Sequence, residues 1–261
     1  MARSVSSGSF ETIDIRIDDR VCLLTLNRPD AMNAADAVMH RELAEVWESI
    51  ASEAAIRAVV ITGAGRAFSA GGDLSRMIAT QQDRSIQDEV FDEARRTVRG
   101  MLNLPQPIIA AVNGPAVGLG ASLVTLCDLA VASEKAFLSD PHLGVGLVPA
   151  DGAAMLWPLL MGSMKAKSYV FTGKRISASV ALELGLVTSV VRQEDVVAEA
   201  LAVARAVCDL PADAVQATKR MMNAAARAVV SEVLDDALDA ERRSVNSIEH
   251  KRSVEALVAR A

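Results

Sequence analysis

Apolar and polar positions change their period several times along the chain, and each change marks an element. Ile13, Ile15 and Ile17 alternate with polar residues, and Val21–Leu26 follows as a short apolar run. With Asp18-Asp19-Arg20 between them, the pair predicts an opening hairpin. Proline cannot extend a strand ladder, so Asn27-Arg28-Pro29 ends the second strand. From Asp36 the spacing becomes helical, with Asp36 as N-cap and Met39, Leu43, Val46, Trp47 and Ile50 on one face. Ala58–Thr62 and Pro107–Val112 are continuous apolar runs that predict buried strands, with a polar helical stretch over Gln87–Leu102 between them. Leu129–Ala132, Ala136–Leu138 and Val187–Val191 are further strand candidates, separated by helix-like segments at Ser122–Cys127, Ala153–Leu160 and Ser179–Leu184. This alternation predicts an α/β architecture with mostly crossover connections.

From about Val196 the strand signals stop, and Ala-rich helical sequence runs on with a break at Pro211. The shift divides the chain into a core over residues 1–195 and a C-terminal helical region over residues 196–261. With 261 residues and 51% apolar content, a large core is accessible, and disorder is expected only in the Ser/Gly-rich start, Ser4–Ser9. A net charge of −6 without any basic run argues against nucleic acid or an anionic membrane as partner. The N-terminus lacks the apolar core of a signal peptide, and no uninterrupted apolar run reaches membrane-spanning length, so a cytoplasmic protein is expected. Cys22, Cys127 and Cys208 stand far apart in apolar settings and read as buried free thiols. His40, His142 and His250 are isolated from other ligands at metal spacing, so no metal is expected.

The candidate chemistry lies in two glycine-rich turns, Arg66-Ala-Phe-Ser-Ala-Gly-Gly-Asp73 and Asn113-Gly-Pro-Ala-Val-Gly-Leu-Gly-Ala-Ser122. Each follows a predicted strand and leads into a helix-like segment. Free backbone N–H groups from two helix starts can then converge on one point, as a thioester oxygen requires when it takes on negative charge. A dinucleotide loop is the competing reading of Gly118-Leu-Gly120, but Leu123 stands where the third glycine is needed, and no phosphate-loop lysine follows. Either turn alone would read as a tight bend beneath a packed helix.

Asn27-Arg-Pro-Asp-Ala-Met-Asn33, Arg66–Asp73, Ala111–Gly120 and Pro141–Gly152 come in the order of four signatures of the enoyl-CoA hydratase/isomerase (crotonase) superfamily, which the chain resembles along essentially its whole length. The resemblance includes Phe171-Thr-Gly173 and Ala181–Val187. It implies a crotonase-like spiral of ββα units with a C-terminal helical region used in trimerisation, giving a homotrimer or a hexamer built as a dimer of trimers. The implied substrate is an acyl-CoA thioester; no cofactor is implied, because coenzyme A is part of the substrate. By position, Gly72 and Leu119 supply the two oxyanion-hole N–H groups. Asp30, Ala31, Met32, Ala70 and Asp73 fall along the coenzyme A cleft, and Arg28 and Arg76 are candidates for its phosphates or for solvated surface charges.

The best-known hydratases of this family carry two glutamates where this chain has Ser122 and His142. A serine is no general base near neutral pH without a partner, whereas the imidazole of His142 is one by its ordinary pKa, or else lines the pocket. Asp151 is a further candidate. Related dienoyl-CoA isomerases and chlorobenzoyl-CoA dehalogenases place a working aspartate at or beside this point, over Ala150 in a gapless match. Asp151 also reads as a helix N-cap. Ile78, Met101, Leu143 and Trp157 are candidate walls of the acyl pocket. Three functions stay open: an acyl-CoA enzyme using Asp151 or His142, a Ser/His thioester or peptide hydrolase using Ser122, and a non-catalytic acyl-CoA-binding subunit.

Overall fold

The structure, a computed structural model, describes residues 8–259; residues 4–7 of the Ser/Gly-rich start lie outside the described residues. The hairpin forms as its alternation predicts. β1 (Ile13–Asp18) pairs antiparallel with β2 (Val21–Leu26), Ile13 opposite Leu26. Next comes α1 (Ala37–Ala51), whose first turn is capped by Asp36: its carboxylate accepts from the N–H groups of Val38 and Met39 at 3.1 and 2.9 Å. The predicted face of α1, from Met39 to Ile50, is buried.

The chain continues through β3 (Ala58–Gly63), α2 (Leu74–Gln82), α3 (Arg84–Asn103), β4 (Ile108–Val112), β5 (Ala116–Val117) and α4 (Leu119–Leu126). β6 (Leu129–Ser133), β7 (Phe137–Ser139), α5 (Ala153–Met161), α6 (Ser163–Thr172), β8 (Ile176–Ser177), α7 (Ala178–Glu183) and β9 (Ser189–Val191) follow. Two sheets result, one ordered β1-β2-β3-β4-β6-β9 and parallel after the hairpin, the other ordered β5-β7-β8. An isolated parallel bridge joins Ser69 to Ala116 at the edge of the smaller sheet. From β3 onward the chain repeats one course: a strand in the large sheet, a short stretch in the small one, then helix. β3, Ser69 and α2–α3 make one turn of this spiral; β4, β5 and α4 make the next; β6, β7 and α5–α6 make another.

Central strands are apolar throughout because both faces are covered. Val59 and Ile61 of β3, with Ile108 and Ala110 of β4, face the main core. Ala58, Val60, Ile109 and Ala111 alternate to the opposite face. That face is covered by α8 (Val196–Cys208), through Val196, Ala200 and Ala204 at helical spacing. Beyond it lie α9 (Ala212–Met222), which begins directly after Pro211, α10 (Ala224–Val245) and α11 (Ile248–Val258). α10 packs on α3 and α5, and α11 on α2.

Some elements differ from the expected ones. α3 starts at Arg84 rather than Gln87, because Asp83 caps it by accepting from the Ser85 N–H at 2.8 Å. α4 starts at Leu119 rather than Ser122. β5 and β8 are two-residue strands, too short to show a period.

Candidate active site

The two glycine turns are locked together by main chain. Val117 donates to the Ser69 carbonyl at 2.9 Å, and Gly118 to the Ser139 carbonyl at 2.9 Å. Gly71 has a φ of +94°, and a Cβ on it would lie 2.8 Å from the Val117 oxygen. Only glycine permits both the left-handed backbone and that approach. At Gly120 a Cβ would stand 2.6 Å from the Ser69 carbonyl.

A third segment joins them. Asn33 donates to the Ala64 and Ala67 carbonyls at 2.9 and 2.8 Å, and Ala70 donates to the Met32 carbonyl at 2.9 Å. Ala35 bonds the residues on either side of Gly72, donating to Gly71 at 2.7 Å and accepting from Asp73 at 3.0 Å. In such a parallel bridge the intervening N–H, that of Gly72, points to the other side. Leu119 is the first residue of α4, where N–H groups have no partner within the helix. Gly72 and Leu119 line one cavity of about 660 Å³.

Among the ionisable side chains that share that cavity with them are His142, Asp151 and Glu241. Asp140, fully buried, accepts from the His142 main-chain N–H at 3.1 Å and meets its ring Nδ1 at 2.7 Å. Burial works against a charged ring, but the bond and charge of Asp140, with the charges of Asp151 and Glu241, outweigh it and lift the His142 pKa to about 10. At neutral pH the ring therefore carries its second proton and is suited to donate rather than to act as a base.

Asp151 Oδ1 accepts from the Ser122 hydroxyl at 2.9 Å. Ser122 is wholly buried beneath the cavity and does not line it. A Cβ on Gly152 would sit 2.6 Å from the Ser122 Oγ, so the main chain beside Asp151 is pressed against the serine. α5 starts at Gly152 as N-cap with no side-chain cap, so Asp151 does not cap it. Glu241, on α10, drew no attention from sequence alone. Burial, reinforced by the charges of Asp151 and Asp140, pushes its pKa up to about 8, against the pull of His142 and a hydrogen bond from the Ala150 N–H.

The remaining candidates divide between cavity and frame. Ala70 and Asp73 line the cavity. Asp73 also caps α2, accepting from the Ser75 N–H and Oγ at 2.9 and 2.7 Å, and meets Arg28 at 3.0 Å. Burial opposes its ionisation, yet Ser75 and Arg28 hold its pKa below the usual carboxylate range. Arg28 is held by Asp36 and Asp73 at 3.2 and 3.0 Å and by the Ala34 carbonyl. Asp30 and Ala31 lie in a 3₁₀ turn, Pro29–Ala31, followed by the exposed Met32; none of the three lines the cavity. Nor do the expected acyl walls: Met101 and Trp157 are buried in the core, and Ile78 and Leu143 lie outside the lining. The observed apolar lining includes Met77, Val90, Phe91, Val145, Leu147 and Val245. Leu257 and the buried His250 of α11 lie across it.

A two-sheet spiral with glycine turns meeting over a cavity of paired acids and imidazole defines the class, and comparison with known proteins agrees. The family model described as Enoyl-CoA hydratase/isomerase matches residues 16–260. A crystal structure of an enoyl-CoA hydratase/isomerase from Mycobacterium paratuberculosis superimposes with a TM-score of 0.92 at 44% identity, covering 95% of this chain and 99% of that one. A protein of Rhizobium meliloti described as a probable enoyl-CoA hydratase is 32% identical over 256 residues, 97% of this chain and 96% of its own length. The 1,2-epoxyphenylacetyl-CoA isomerase of Escherichia coli is 32% identical over 255 residues, 96% of this chain and 97% of its own length. The chain belongs to the enoyl-CoA hydratase/isomerase family, with the crotonase fold, and is an enzyme of that type.

Proposed function

We propose that this enzyme moves protons at carbon beside the carbonyl of an acyl-CoA thioester, the step common to enoyl hydration and double-bond isomerisation. The observation that carries the reading is the shared cavity: Gly72 and Leu119, the two residues expected to offer main-chain N–H groups, line the same space as Asp151 and Glu241. The thioester oxygen accepts from both N–H groups. As a proton leaves carbon, the electron pair moves onto that oxygen, and each donor contributes about 3–4 kcal/mol to stabilising it. The N-terminus of α4 adds its dipole.

Asp151 takes the proton, held in position by Ser122. Glu241, protonated at neutral pH, returns one to the chain, and the His142 imidazolium adds positive charge nearby. Coenzyme A enters and leaves as part of the substrate. The names of similar proteins include both a hydratase and an isomerase, which supports the reaction class rather than one outcome. Exposed Phe171, Met164, Met221 and Met222 support assembly of several copies, as in a homotrimer, which solution mass measurement checks.

The test is deuterium incorporation from heavy water into saturated and unsaturated acyl-CoA thioesters, followed by mass spectrometry. Exchange that disappears in Asp151→Asn is the expected result. Thioesters that bind without any exchange would mark a binding subunit instead. The serine hydrolase reading finds no geometric support, because the Ser122 hydroxyl donates to Asp151 rather than to His142 and the buried serine does not line the cavity.

A further inference from the structure

Gly118 and Gly71 stand one residue before the two proposed oxyanion donors, Leu119 and Gly72. They meet at a single point: a Cβ on Gly118 would lie 4.0 Å from the Gly71 Cα. The His142 ring reaches the same point, with Cε1 at 3.5 Å and Nε2 at 4.0 Å from that Cβ position. One edge of the imidazole thus stands beside the turn that carries the Leu119 N–H. All five residues line the same cavity.

The other edge of the ring is anchored. Asp140 meets Nδ1 at 2.7 Å and also takes the His142 main-chain N–H. A carboxylate only accepts, so the Nδ1 proton is committed there and the second ring proton sits on Nε2. Among the described residues no hydrogen bond or ion pair occupies Nε2, yet Nε2 is not one of the buried polar atoms left unpaired. It therefore keeps open surface, in a side chain that lines the cavity and is 15% exposed. Asp140, Asp151 and Glu241 surround the ring with acidic groups that favour its charged form.

We infer, on the acyl-CoA reading above, that the thioester oxygen accepts a third hydrogen bond, from His142 Nε2–H, beside those of Gly72 and Leu119. Unlike a peptide N–H, this donor carries charge, so its bond strengthens most as negative charge builds on the oxygen. The proton stays on Nε2 throughout. His142 is then a catalytic hydrogen-bond donor rather than a second acid.

The test is isotope-edited infrared spectroscopy of butyryl-CoA carrying a heavy carbon at its carbonyl, bound to wild type, His142→Asn and His142→Gln. A hydrogen bond to the carbonyl oxygen weakens the C=O bond and lowers its stretching frequency. Asparagine keeps a donor to Asp140 but lacks Nε2, and its carbonyl band is expected to move up from the wild-type position. Glutamine is equally uncharged but carries an N–H near the Nε2 position, and should recover part of the shift. Acetoacetyl-CoA reads the developing charge: the preference for its enolate over its keto form is expected to fall about ten- to hundredfold in His142→Asn. Circular dichroism verifies folding, and His142→Ala replaces the asparagine variant if that one does not fold.

The inference is overturned if the band stays put in His142→Asn, if the two variants move it equally, so that the ring acts by charge alone, or if the enolate preference is unchanged. The carbonyl band needs no proton transfer. A third donor without deuterium exchange would sink the proposed reaction alone, and exchange with an unmoved band would sink this inference alone. Absence of binding by every thioester would sink both.

Discussion

Asp140 takes both the main-chain N–H and the ring nitrogen of His142, at 3.1 and 2.7 Å, and is itself fully buried. One carboxylate thereby fixes the ring's position and its protonation together. The native state holds a proton that the unfolded chain releases between about pH 6.5 and about pH 10. Protein stability is therefore expected to fall as pH rises through that interval. Glu241 acts in the same direction, because its folded pKa is raised from 4.5 to about 8. Thermal melts of Asp140→Asn across this range should be flatter than those of the wild type; equal slopes would detach His142 from Asp140.

Exchanging Asp151 for asparagine removes the proposed base while keeping its size. We expect turnover of acyl-CoA thioesters to fall by about 10²–10⁴ with binding retained. Unchanged turnover would assign the base elsewhere.

If Glu241 donates the proton, kcat/KM declines as pH rises through about 8, where the side chain loses it. Glu241→Gln should lower the rate and erase that limb of the profile. A limb that persists in the variant belongs to another group.

Gly71→Ala tests the meeting of the two turns. Its Cβ would stand 2.8 Å from the Val117 oxygen at a φ of +94°, and relief of that clash moves the Gly72 N–H. A loss of about 10²-fold in kcat is expected, as for removal of one oxyanion donor, with the fold retained by circular dichroism.

Ser122→Ala removes one hydrogen bond to Asp151, which is expected to cost about 0.5–1.5 kcal/mol of stability and to slow turnover without abolishing it. A fluorophosphonate probe should not label Ser122 in the wild type. Stoichiometric labelling lost in the alanine variant would restore the hydrolase reading.

Much of this frame is legible in the chain itself because its signals are local. Ala58–Thr62 and Pro107–Val112 are apolar on consecutive residues, and Asp36 announces a helix by its side-chain chemistry alone. The glycine turns are legible for the same reason, since a positive φ at Gly71 or Gly118 leaves its mark as a residue type. Asp151 and Ser122 are each legible as candidates, but their pairing is not: whether Asp151 caps α5 or binds Ser122 depends on how α4 and α5 pack. Glu241 is the clearest case beyond local reading. In Glu241-Arg-Arg-Ser it looks like any solvated helix charge, and only the packing of α10 against α3 and α5 turns it into the cavity. Arg76 reads as a surface cation until α3 brings Glu89 and Glu93 beside it.

The contribution of α11 across the cavity carries a consequence for synthesis. His250 and Leu257 lie across the space that Gly72 and Leu119 open onto, and the turn at Gly146 is packed against the His250 main chain. During translation the glycine turns leave the ribosome long before residues 248–258 do. A nascent chain can thus assemble its sheets while its catalytic chamber still stands open to water. Competence arrives last, with the helix that completes the chamber's lining, so chains broken off before α11 should fold their sheets and remain idle.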